Sequence, residues 1–182
     1  MSRKISIGLI GLGYWGINYL RILIQLKDVK LKYVCDSDRS KLVRCPKLIN
    51  IAKVTDFMKL VEDKDLEAVI IATPASTHYE IAKTLLESGK HVLVEKPLTT
   101  NYEEAVELSN LSKISGRILM VGHIYCFNPA MNFIKELLNT GSLGRLYYGL
   151  GLRLGLGPIR SDASCSWDLA VHDIAALDYL FN

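Results

Sequence analysis

The chain has 182 residues, 49% of them apolar and 23% charged, and Lys plus Arg exceed Asp plus Glu by 22 to 19 for a net charge of +3. These proportions exclude a wholly disordered or collagen-like chain. The mild charge, with no basic block interleaved with aromatics, points away from nucleic acid. No stretch reaches the roughly 20 apolar residues of a membrane helix. Residues 5–12 follow Ser2-Arg3-Lys4 without the small-residue cleavage site of a signal peptide. A cytoplasmic protein with no nucleic-acid or membrane partner is expected. Cys35, Cys45, Cys126 and Cys165 form no C-x-x-C pair, so reduced thiols and no metal site are expected.

Residues 5–10 are a strand-like apolar run stopped by glycine. Residues 15–26 carry Ile17, Leu20 and Ile24, with Leu23 offset, on what reads as one helix face. A second strand is expected at 31–35, a short one at 51–54 and a short helix at 56–62, and Pro46 interrupts any helix between the two strands. The unbroken apolar run 68–72 suits a central parallel strand covered on both faces. Thr77 and Glu80 form a capping box for a helix that Gly89 stops. A strand at 91–95 follows, then a second box at Thr100 and Glu103 for a helix ending near Ser115-Gly116, then a strand at 118–121.

This alternation implies an α/β fold, a parallel sheet doubly wound with helices on both faces, over residues 1–121. After Gly122 the pattern changes. A helix at 128–139 has Pro129 in its first turn, where no amide donor is needed. A long strand is expected at 144–154, a loop at 155–166 and an amphipathic helix at 167–180. A domain boundary is expected near 121–123, with residues 122–182 in a second domain.

Gly11-Leu12-Gly13-Tyr14-Trp15-Gly16 lies between the first strand and the first helix. Gly11 permits the tight turn, Gly13 the approach of a pyrophosphate and Gly16 close helix–strand packing. The helix N-terminus, with Tyr14 and Trp15, then offers free N–H groups to an anion. Asp36, about 20 residues beyond Gly16, ends the second strand where an acid binds adenosine ribose hydroxyls, with Ser37 beside it. A 2′-phosphate there would meet repulsion of about 4 kcal/mol per charge pair at an effective dielectric of 20. NAD is therefore favoured over NADP, although Arg39 either reaches such a phosphate or stacks on adenine.

Thr73 and Pro74, with Ser76, Thr77 and His78, follow the fourth strand, and Glu95-Lys96-Pro97 ends the fifth. Ligands of an open parallel sheet lie beyond these carboxyl ends. Lys96 can donate a proton or hold a substrate hydroxyl. Against this, His78 reads equally as a helix-start residue and Glu95-Lys96 as a surface pair. Asp168 and His172 are four apart, on one helix face. A carboxylate there can fix the imidazole tautomer for base work, or the two make a plain helix-surface contact.

In order and spacing these motifs resemble the Gfo/Idh/MocA oxidoreductase family, named for glucose–fructose oxidoreductase, inositol dehydrogenase and a rhizopine-catabolism protein. They are the glycine loop, Ala72-Thr73-Pro74 with His78, Glu95-Lys96-Pro97, Gly122-His123 with Asn128-Pro129, and Asp168-x-x-x-His172. The resemblance implies a Rossmann domain over 1–121 followed by a substrate α/β domain with a large open sheet that also mediates homo-oligomers, of which residues 122–182 would be the truncated start. It implies NAD(P)-linked hydride transfer at a sugar or polyol carbon, with Lys96 and His172 catalytic and Asp168 a substrate or orienting residue. Arg153-Leu154-Gly155-Leu156-Gly157, Arg160-Ser161-Asp162 and Trp167-Asp168-Leu169 look most like members acting on nucleotide-linked sugars. The alternatives are a non-catalytic dinucleotide-binding or regulatory module left by truncation, and an unrelated Rossmann reductase.

Overall fold

The computed structural model describes residues 3–43, 45, 50–153 and 163–182. The chain divides into two compact units, Met1–Val121 and Gly122–Asn182. The first holds strands β1 (Ile5–Ile10), β2 (Val29–Cys35), β3 (Ala52–Val54), β4 (Ala68–Ile71), β5 (His91–Val94) and β6 (Leu119–Val121). They form one sheet in the order β3-β2-β1-β4-β5-β6, and every pairing is parallel. Helices α1 (Tyr14–Gln25), α2 (Arg39–Leu42), α3 (Met58–Glu62), α4 (His78–Glu87) and α5 (Tyr102–Ser115) connect them. The chain winds outward from β1 to β3, then returns to start β4 beside β1. That reversal opens a crevice at the carboxyl ends of β1 and β4.

Both faces of the sheet are covered, and the period of two sorts the strand residues between two cores. Ile10, Val69 and Ile71 pack with Ile81, Leu85 and Leu86 of α4 and Leu108 of α5. Leu9 and Ile70 point the other way, against Leu20 and Leu23 of α1 and Leu31, Val34 and Leu42. The buried stripe of α1 is therefore Gly16, Leu20 and Leu23. Ile17 and Ile24, expected on that face, are exposed.

Neither capping box forms as expected. Thr77 Oγ1 donates its one proton to the Pro74 carbonyl at 2.7 Å and stands 2.8 Å from Thr73 Oγ1, within hydrogen-bond reach. It is thus spent on the 3₁₀ turn Ala75–Thr77 that leads into α4 and makes no cap. One residue beyond Thr100, Asn101 caps α5 instead, its Oδ1 accepting from the Glu104 amide at 3.1 Å. Gly116 ends α5 in the left-handed conformation at φ 62°.

The second unit contains a 3₁₀ turn (Ile124–Phe127), α6 (Pro129–Asn139), a π turn (Ser166–Ala170) and α7 (Val171–Phe181). Asn128 caps α6 through the Ala130 amide at 2.8 Å. Tyr179 donates to Asn132 Oδ1 at 2.8 Å and Lys135 to the Leu180 carbonyl at 3.2 Å, tying α6 to α7. The strand expected at 144–154 is not formed across 144–153, and Leu154 lies outside the described residues, as do 155–162 of the expected loop. A strand needs a neighbour's backbone groups, and no described residue of this unit provides them. The alternation survives nonetheless. A Cβ on Gly149 would stand 2.9 Å from Phe181 Cζ, and one on Gly151 3.2 Å from Asp173 Cβ. Tyr148, Leu150 and Leu152 are exposed.

A Cβ on Gly16 would lie 1.9 Å from the Gly11 carbonyl oxygen, whereas one on Gly13 meets nothing within 4 Å. Gly16→Ala should therefore cost roughly 1–3 kcal/mol, read from the urea midpoint at unchanged m-value, and Gly13→Ala should shift it far less. Burial pushes the Cys35 thiol up to about 12 and also raises Cys45, whereas Cys165 is exposed. Iodoacetamide at neutral pH should label Cys165 first. Mass spectrometry should find Cys35 and Cys45 alkylated only after denaturation.

Candidate functional site

The crevice is lined from β1 outward. Gly11 continues the β1–β2 ladder, its amide donating to the Cys35 carbonyl at 2.8 Å. It then turns at φ 94°, where a Cβ would lie 2.4 Å from the Ala72 carbonyl oxygen. Gly11 and Gly16 thus serve chain-on-chain contact. Gly13 is different: it is the residue preceding the first turn of α1 and has open space where a side chain would be. No acidic residue occupies that first turn, and Tyr14 and Trp15 are exposed. Free amides of a helix N-terminus beside an open glycine suit a pyrophosphate.

Asp36 is 5% exposed. Its Oδ2 accepts from the Leu12 amide at 2.7 Å and its Oδ1 from the Asp38 amide at 2.9 Å. Lys41 Nζ lies 3.6 Å from Oδ1. The carboxylate is therefore a fastener of the glycine loop before it is a ligand group, although two oxygens accept about four hydrogen bonds and capacity remains. Ser37 and Arg39 are exposed beside it. Lys41, not Arg39, is the cation paired with Asp36. Sequence reading passed over it because its spacing from Asp36 follows no helical period.

At the ends of β4 and β5 the structure separates ligand-edge residues from inward ones. Pro74 is exposed and Thr73 and Lys96 are half-buried. His78, expected as a cofactor contact, is 1% exposed. Its Nδ1 lies 2.7 Å from the Pro97 carbonyl and its Nε2 2.9 Å from the Thr73 carbonyl. Both partners are acceptors, so a neutral ring donates to one and a doubly protonated ring to both. Either way, both nitrogens face backbone, and His78 ties the β4 end to the β5 end.

Glu95, also expected at the cofactor, is turned inward at 7% exposure. It accepts from Tyr19 OH of α1 at 2.7 Å and from the Lys96 amide at 3.1 Å. Burial, together with that carboxylate, raises the Tyr19 phenol well above its ordinary range. The Lys96–Pro97 peptide is cis.

In the second unit Asp168 lies in the π turn and His172 is the second residue of α7. A π turn inside a helix is frequent at functional positions. Arg153 Nε donates to Asp173 Oδ2 at 2.8 Å and Nη1 to Tyr125 OH at 3.1 Å. The Arg153 guanidinium carbon sits 4.8 Å from the Tyr125 ring centre. Tyr125 and His172 meet edge-on, with ring centres 5.2 Å apart at 74°. Tyr125 and Asp173 escaped sequence reading. Their one signal was adjacency to His123 and His172. Among the described residues no helix is long and apolar enough to cross a membrane, and no group of three or more His, Cys, Asp or Glu could hold a metal ion.

Comparison with known proteins agrees with the parallel sheet. The family described as "Oxidoreductase family, NAD-binding Rossmann fold" (Gfo/Idh/MocA) matches residues 5–123. The chain is 35% identical over 149 residues to uncharacterized oxidoreductase YdgJ of Escherichia coli, covering 81% of this chain and 42% of that protein. It is 30% identical over 187 residues to scyllo-inositol 2-dehydrogenase (NAD(+)) of Bacillus subtilis, covering 99% and 55%. The crystal structure of apo scyllo-inositol dehydrogenase from Lactobacillus casei superposes with a TM-score of 0.72 at 26% identity, covering 78% of this chain and 43% of that one. The chain thus spans about half the length of the curated relatives it matches. By its matched residues and its parallel sheet, this chain belongs to the Gfo/Idh/MocA family of NAD-binding Rossmann oxidoreductases.

Proposed function

We propose that the chain carries the cofactor-binding and base-bearing parts of an NAD-dependent dehydrogenase acting on a sugar or polyol hydroxyl. The observation that supports this most is Lys96, placed by the end of β5 at the same sheet edge as the open Gly13 turn. Gly11, Gly13, Tyr14, Trp15, Asp36, Ser37, Arg39, Thr73 and Pro74 would line the dinucleotide, with Gly16, His78 and Glu95 holding its walls. Bound NAD supplies the hydride acceptor; the proton is the chain's concern. In this reading His172 takes the proton of the reacting hydroxyl as general base. Lys96 donates a hydrogen bond to the same oxygen, and Asp168 orients the imidazole or a neighbouring sugar hydroxyl. The roles of Lys96 and His172 are exchangeable in principle, since both residue types carry protons.

Two of the similar proteins are scyllo-inositol dehydrogenases, which supports the polyol class. The narrower reading, a nucleotide-linked sugar, is supported by the resemblance of Arg153 and Trp167-Asp168-Leu169; residues 154–162, which share in it, lie outside the described residues. A homo-oligomer is part of the proposal for a full-length protein.

The reading is tested by following nicotinamide fluorescence and absorbance with inositols, sugars and nucleotide-linked sugars. Lys96→Ala and His172→Ala should each lower turnover by roughly 10²- to 10⁴-fold while NADH affinity stays nearly unchanged. A variant that keeps parental turnover removes that residue from the mechanism. NADH binding with no turnover on any of these substrates favours the non-catalytic module.

A separate measurement addresses Asp36. Asp36→Ala releases the Leu12 amide as well as the ribose contact, so it should weaken both NADH and NADPH, and NADH more. Asp36→Asn keeps an acceptor for Leu12 and removes the charge, so it should retain more affinity and narrow the preference for NADH. Tighter NADPH binding by the parent chain would contradict this.

A further inference from the structure

Three segments far apart in sequence converge on one aromatic ring. Tyr125 comes from the 3₁₀ turn, Arg153 from the stretch after α6, and His172 and Asp173 from the start of α7. The hydrogen bond from Arg153 Nη1 to Tyr125 OH fixes the ring within its own plane. The guanidinium over the ring at 4.8 Å fixes its tilt, an arrangement that a cation and an aromatic face favour. Arg153 is itself held by Asp173, next to His172, at 2.8 Å. Gly151 leaves room for this reach: a Cβ on it would stand 3.2 Å from Asp173 Cβ, tighter than an ordinary contact. Arg153 and Asp173 are 26% and 29% exposed. A pair so open to water adds little to stability. What it does set is direction, because a planar guanidinium has a fixed fork. The far side of the clamp is the edge-on contact of Tyr125 with His172.

We propose that Tyr125 is a positioning residue for His172, aimed by the Arg153–Asp173 pair, so that the imidazole is held in one ring orientation by an aromatic contact. This rests on the reading of His172 as the base. The geometry of the clamp can, however, be tested apart from that reading.

The test uses the whole 182-residue chain, labelled for NMR, with the His172 ring signals assigned through His172→Gln. Tyr125→Leu should move those signals. Arg153→Met should move them in the same direction, and should add nothing in a Tyr125→Leu background, since its effect passes through the ring. Tyr125→Phe, which keeps the ring and loses the hydroxyl, should give a smaller displacement, and Arg153→Lys, which keeps charge but not the fork, an intermediate one. In the same proteins Tyr125→Leu should lower kcat by roughly 10²-fold with KM nearly unchanged, the size of effect expected from a misplaced catalytic group.

His172 signals indifferent to Arg153→Met, or displaced equally with and without Tyr125, would overturn the clamp. Displaced signals with parental kcat would overturn the positioning role. An unaltered chain without turnover would sink the dehydrogenase reading and leave the NMR comparison to judge the clamp alone.

Discussion

The cofactor edge depends on three backbone segments lying closer together than side chains allow. The Gly11 carbonyl occupies the place of a Gly16 side chain, and the Ala72 carbonyl occupies the place of a Gly11 side chain. Because β1, the first turn of α1 and the end of β4 are locked at this distance, the free amides of α1 point into the crevice at the switch point and not into the core. Asp36 completes the lock from β2 by accepting the Leu12 amide. One carboxylate, buried and bonded to two amides, thereby fixes the glycine loop.

The other buried polar groups of the first unit act in the same way. His78 faces two backbone carbonyls from successive strand ends, and Glu95 receives both a phenol from α1 and the amide of Lys96. Unbonded, each of these backbone and side-chain groups would cost about 1–3 kcal/mol. Bonded, they make the strand-end loops rigid supports for the residues beside them, the exposed Pro74 and the half-buried Thr73 and Lys96. Polar residues at the edge thus divide into those that face out and those that hold the others still.

This division is where sequence reading lost its power. The strands and long helices of the first unit were legible because apolar runs and glycine stops are local, and the two-sided sheet demands them. The glycine loop was legible because Gly11 and Gly16 answer to two separate steric needs, while Gly13 leaves open space before the helix. The inward turn of His78 and Glu95 was not, since a polar residue after a strand looks alike whether it points to ligand or to backbone. The cap of α5 moved by one residue to Asn101, whose backbone is extended, while Thr77, already helical in its backbone, made none. In the second unit the alternation of 148–153 was real, but a pattern of two specifies faces and not a partner, and the ladder did not follow. Tyr125 and Asp173 stayed hidden because their meeting through Arg153 is a fact of three-dimensional folding and has no spacing to read.

The tie between Tyr19 and Glu95 carries a consequence for descent. A phenylalanine at 19 would leave one Glu95 oxygen without its donor, and an apolar residue at 95 would strand the Tyr19 hydroxyl and the Lys96 amide. Each half-change costs about 1–3 kcal/mol, a sizeable share of the 5–15 kcal/mol by which a domain is stable. The two positions, 76 residues apart, are therefore one inherited trait: lineages should keep both or exchange both, and the helix after the glycine loop and the strand that leads to Lys96 should drift together.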